Sequence, residues 1–174
     1  MIFCNSMRAV CRIFMMLENA GAVAVEFALF LPFFLLVFAG TLDLWYLIYT
    51  ASQLTSAVSA GALYAANNAT LVSTSPSTLQ GNIQRIVANA NGTSWATSSV
   101  NVNNGDAAHC FCPTGSPGSW TWGTAVACNR ACSSGGVAGQ YVTITANHTL
   151  APLFPTFGLT DNSTISRSAM VETQ

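Results

Sequence analysis

The chain has 174 residues, five Lys or Arg against six Asp or Glu, and a composition that is 51% hydrophobic but only 6% charged. An ordinary soluble domain is about a quarter charged, so part of this chain is solvated by lipid or by neighbouring subunits rather than by water. The basic residues are scattered arginines (Arg8, Arg12, Arg85, Arg130 and Arg167), which leaves no patch to neutralise phosphates and argues against a nucleic-acid partner.

Residues 1–21 form a short leader with Arg8 and Arg12 as its only basic residues. The apolar run from Ala22 to Leu42, AVAVEFALFLPFFLLVFAGTL, follows it. At 1.5 Å per residue it is about 30 Å of helix, the thickness of a hydrocarbon core. Pro32 is compatible with a spanning helix, because neighbours can satisfy the carbonyl it frees. Trp45, Tyr46 and Tyr49 then fall at the far interface as an aromatic belt. With Arg8 and Arg12 before the span and no basic residue after it until Arg85, the positive-inside rule directs the N-terminus to the cytoplasm and the bulk of the chain outside. The run is too long for an ordinary cleaved signal peptide.

Beyond Asp43 the pattern stays helical and grows less apolar. Leu44, Leu47, Ile48, Leu54, Val58 and Leu63 predict one apolar stripe with small residues between them, in a helix running over 22–66. Asn67-Asn68 ends it. Ser73 to Ser77 reads as a turn, with Ser75 or Ser77 as the cap of a second helix containing Leu79, Ile83, Ile86, Val87 and Ala90. That helix is expected to end near Asn91-Gly92. Ser99–Asn103 alternates as a strand before an Asn104-Gly105 turn. Residues 105–139 form a Gly/Ser/Cys-rich loop, and Tyr141–Leu150 and Thr164–Thr173 are further strands. The expected fold is α+β: a long N-terminal transmembrane helix over 22–66, then a small domain over 67–174 with a second helix and an antiparallel sheet of about three strands.

The informative motif lies at the start of the apolar run. Glu26 is a carboxylate at membrane depth, which is costly unless it is paired or lies at the headgroups. It stands in Gly21-Ala22-Val23-Ala24-Val25-Glu26-Phe27. A small residue, four apolar residues, then Glu and an aromatic resemble the processing site of type IV pilin-like proteins. The longer stretch GAVAVEFALFLP, Gly21 to Pro32, resembles the N-terminal motif of the TadE-like family, pseudopilin-like proteins of the tight-adherence (Tad, or Flp) pilus. Tyr141–Ile144, Leu150–Pro155 and Ser166–Val171 resemble that family's last two strands and their connection more loosely. Glu18-Asn19-Ala20 stands where family members commonly carry basic residues.

The resemblance implies cleavage by a prepilin peptidase after Gly21, with Ala22 as the new N-terminus. It further implies that Glu26 pairs with the Ala22 amine of a neighbouring subunit, so that two costly charges offset each other among apolar helices. The partners it implies are the membrane, the peptidase, other pilin-like subunits and pilus assembly components.

Six cysteines fall in two groups, Cys4 and Cys11 before the span and Cys110, Cys112, Cys128 and Cys132 after it. The second group lies outside the cytoplasm on this topology, which favours disulfides. Zinc held with His109, or free thiols, are the other readings of Cys110-Phe111-Cys112 with Cys128-x-x-x-Cys132. Four cysteines allow three pairings. No G-x-S-x-G, phosphate loop or paired carboxylates occur, so neither catalysis nor a cofactor is expected. The leading expectation is a non-enzymatic pilin-like assembly factor in the cytoplasmic membrane, acting through its helix and able to enter the fibre. The alternative is an unprocessed single-pass anchor whose outer domain binds secretion or pilus components.

Overall fold

A computed structural model of the chain describes residues 3–116, 119–154 and 163–174, with side chains from Gly21 onward except that of Ala22. The side chains of Arg8, Arg12, Cys4 and Cys11, and the position of Pro155, lie outside this described part. The architecture is α+β: a long apolar helix, further helical segments, a three-stranded antiparallel sheet and a separate two-stranded one.

Helix α1 spans Phe3–Asn67 as one element. It begins well before Ala22, and it passes Pro32 without ending. The proline ring removes the N–H that Ala28 C=O would accept, a local defect that the surrounding apolar helix tolerates. A short helix α2 (Thr70–Thr74) follows, and its last two residues, Ser73 and Thr74, fall in the expected Ser73–Ser77 turn. Helix α3 (Pro76–Ala88) starts at Pro76, whose fixed φ suits a first helical position. Ser75 holds the N-cap position, but its side chain makes no capping bond, and the helix stops at Ala88, leaving Ala90 outside it.

The sheet has the order β1-β4-β5, with β1 Thr97–Val102, β4 Tyr141–Leu150 and β5 Ser163–Glu172. Its central strand β4 pairs antiparallel on both sides, Val102 opposite Val142 and Tyr141 opposite Glu172. Strand alternation sends Val142, Ile144 and Ala146 to one face, where all three are fully buried. That face meets Leu79, Ile83 and Val87 of α3 and Leu54, Ala57, Val58 and Ala65 of α1 in one core. Each large aliphatic side chain buried there contributes about 1.5–3 kcal/mol. Asn82 Nδ2 donates to the Tyr64 hydroxyl at 2.8 Å, tying α3 to α1.

The stripe that α1 buries differs from the expected one. Leu54 and Val58 are inside, but Leu44, Ile48 and Leu63 are 57–65% exposed. Small residues take the inner face instead. A Cβ on Gly61 would meet Ile83 Cγ2 at 3.1 Å and Ile144 Cδ1 at 3.3 Å, so α1 lies almost against both α3 and β4. The sheet can approach this closely only where the helix presents small side chains; the bulky ones turn outward.

The 105–139 region contains a hairpin the sequence did not reveal, β2 (Thr114–Ser116) with β3 (Ser119–Thr121). Asn104 and Gly105 have φ of 51° and 77°, the left-handed turn that Asn-Gly favours.

Candidate functional site

Among the described residues Val23–Asn67 is the one helix long and apolar enough to cross a membrane. Its lower part is bare: Phe27, Leu29, Phe30, Phe33 and Phe34 are each about two-thirds exposed. So large an apolar surface requires lipid or other apolar helices around it. Trp45 and Tyr49 stack at 5.5 Å between centroids where the bare surface gives way to the core-facing part of the helix. Their amphipathic rings suit the interface.

Gly21 and Glu26 lie on the outer surface of this helix. A Cβ at Gly21 would touch nothing within 4 Å. Among the described residues no ion pair involves Glu26. Gly21 and Glu26 are both exposed on α1, and the cysteine loop lies elsewhere, in the 105–139 region.

Asp43, further along the helix, is placed differently. It is buried, and its Oδ1 accepts the Leu153 N–H at 2.8 Å. Its Oδ2 is buried without a hydrogen-bond partner among the described residues. Leu153 belongs to the connection that leaves β4, and the next residue, Phe154, lines an open apolar recess of about 360 Å³ with Leu35, Phe38 and Ala39. A connection 110 residues away in sequence thus folds back onto the apolar helix. The available signals were an Asp at the end of an apolar run and a Pro-containing apolar stretch, Ala151-Pro152-Leu153-Phe154, where a polar turn is the norm.

In the cysteine loop Cys110 is joined to Cys128 and Cys112 to Cys132, with Cα separations of 4.9 and 5.8 Å. The first cysteine pairs with the third and the second with the fourth. Cys110 is fully buried, and Phe111 meets Trp122 edge-on at 5.6 Å. Among the described residues no three Cys, His, Asp or Glu side chains gather as a metal site. His109 Nδ1 lies 2.8 Å from Asp106 Oδ2. Asp106 is held below the usual carboxylate range by the Ala108 N–H and then by His109.

The buried Asn103 anchors this loop, a role the sequence did not single out. Its Nδ2 donates to the carbonyls of Asp106 and His109, and its Oδ1 accepts the Tyr141 N–H at 3.3 Å. Its own φ of 46° is a conformation Asn tolerates better than most residues.

The chain thus combines a long, largely bare apolar helix, apolar enough to cross a membrane, with a small antiparallel α+β unit. Residues 21–63 match the family model described as TadE, TadE-like protein. The match covers α1 from Gly21 almost to its end and leaves the tail segments 141–171 outside it. No curated protein and no solved structure matches the chain.

Proposed function

We propose that this chain is a non-enzymatic, pilin-like assembly factor of a tight-adherence pilus or related secretion system. It acts through α1, with residues 1–21 as a cytoplasmic leader and residues 67–174 outside the cytoplasm. The observation that carries the reading is the TadE-like helix itself, with Glu26 five residues after Gly21 and no partner for it among the described side chains. A prepilin peptidase cuts after Gly21. The free amine of Ala22 then meets Glu26 of a neighbouring subunit, and the bare faces of Phe27, Phe30 and Phe34 pack against other apolar helices rather than lipid.

The test is the mass of the protein purified from cells that carry the whole pilus system. A chain beginning at Ala22 is expected. Glu26→Ala is expected to leave cleavage intact and to impair assembly, since the amine loses its partner. A chain still beginning at Met1 beside an active peptidase overturns the reading. It would favour the second one, an unprocessed anchor whose outer unit binds pilus components. The feature that speaks for this alternative is Glu18-Asn19-Ala20 directly before Gly21, where basic residues are common in the family.

A further inference from the structure

We infer that the connection Ala151–Phe154 is a second membrane contact: it enters the outer leaflet beside α1, is held there by Asp43, and leaves a recess that a lipid acyl chain fills. The inference rests on the reading of α1 as a membrane span.

Depth comes first. Residues 27–42 carry no charge, so the hydrocarbon core has to lie across them. Phe154 shares its recess with Leu35, Phe38 and Ala39. Those positions lie about 6–12 Å below Asp43 along the helix, at 1.5 Å per residue. With Trp45 and Tyr49 at the headgroups, a residue packed there is at acyl-chain depth.

The backbone comes second. Irregular chain is excluded from hydrocarbon unless its polar groups are satisfied by protein. Pro152 has no N–H to satisfy. The N–H of Leu153 is taken by Asp43 Oδ1. Asp43 Oδ1 and the Leu153 N–H thus satisfy each other beside the apolar helix. Neither arrangement is needed for a loop that stays in water.

The surface comes third. Ala151, Pro152, Leu153 and Phe154 bear no charge and no side-chain hydrogen-bonding group. Leu153 is 51% exposed, and its neighbour Phe154 reaches Leu35, Phe38 and Ala39 of the apolar helix. The recess between Phe154 and α1 is lined by apolar side chains only, so water entering it finds no polar partners. An acyl chain continuous with the lipid around Phe34 and Leu35 fits both its chemistry and its position.

The experiment uses the full chain in phosphatidylcholine vesicles, in a Cys4→Ser, Cys11→Ser background so that a nitroxide attaches at one site. The label is placed by Leu153→Cys and, independently, by Ala151→Cys. Phe34→Cys serves as the lipid reference and Ser166→Cys as the aqueous one. Collisions with oxygen and with a water-soluble nickel chelate are measured for each. The expected result is an oxygen-over-nickel preference at 153 and 151 that matches position 34. A preference matching position 166 overturns the inference while leaving the span intact. Shielding from both reagents also overturns it and assigns the surface to a second copy of the chain. If position 34 itself behaves like 166, the membrane reading of α1 fails and the inference falls with it.

Discussion

At residue scale two side chains make their roles measurable. Asp43 is buried, and its Oδ1 accepts one loop amide. Asp43→Leu keeps the size but deletes the acceptor, leaving the Leu153 N–H unsatisfied at a cost of about 1–3 kcal/mol. Asp43→Asn retains a carbonyl oxygen in the same place. Amide exchange at Leu153 is expected to accelerate strongly in the first variant and little in the second; equal acceleration in both would show that charge, not hydrogen bonding, holds the connection. Tyr141 makes a pH prediction. Partial burial, and then the negative charge of its cross-strand partner Glu172, push its phenol above the ordinary tyrosine value. A raised value in the fold means that the neutral phenol is the form the folded state prefers. Its contribution is complete below the unfolded value, about 10, and is lost as pH rises through the folded one. Denaturation midpoints are expected to fall at alkaline pH in the parent and to fall less in Tyr141→Phe and Glu172→Gln.

At the scale of elements, the close approach of α1 to α3 and β4 depends on Gly61. Gly61→Val pushes two methyl groups into Ile83, Val87 and Ile144, and overpacking of this kind costs about 1–3 kcal/mol. Thermal unfolding in detergent is expected to show a lower midpoint; an unchanged midpoint would mean the helix and sheet can move apart freely. The disulfides act on a different element. They close sequence separations of 18 and 20 residues around a hairpin with three-residue strands, worth about 3 kcal/mol each in the chain-entropy account. Peptide mapping without reductant is expected to recover Cys110 linked to Cys128 and Cys112 to Cys132. After reduction, amides over 107–139 are expected to exchange faster while α3 stays protected. These elements differ in how well they could be read from sequence. The long helix, β4 and β5 carry strong patterns: an apolar run, and Val142, Ile144, Ala146 alternating with polar residues. The hairpin β2–β3 carries none, because Thr-Gly-Ser and Ser-Trp-Thr are too short and too polar to alternate. The small inner face of α1 misled for a related reason: apolar size, the usual sign of burial, points outward wherever lipid or other helices wait.

For the whole molecule, the Gly21–Pro32 motif was legible because it is local, and the match over 21–63 covers it. The contact from Asp43 to Leu153 was not, since nothing in either segment names a partner 110 residues distant. Orientation is the prediction that belongs to this scale. A reporter active only outside the cytoplasm is expected to be active when fused after Gln174 and silent when fused before Cys11, following Arg8 and Arg12. The reverse result would remove the basis for a cytoplasmic leader. One consequence follows from α1 being continuous from the bare segment into the core. Val23–Asn67 is a single rod with no hinge where the chain leaves the apolar stretch. From Asp43 to Asn67 it extends about 36 Å. The folded unit is therefore mounted on a lever. A tilt of about 10° at the membrane carries the Asn67 end sideways by about 6 Å, given that rise per residue. Tension applied along the rod is carried by the hydrogen-bonded helix itself through Leu54, Val58 and Ala65, and the sheet packed on them rides on the shaft instead of transmitting the pull.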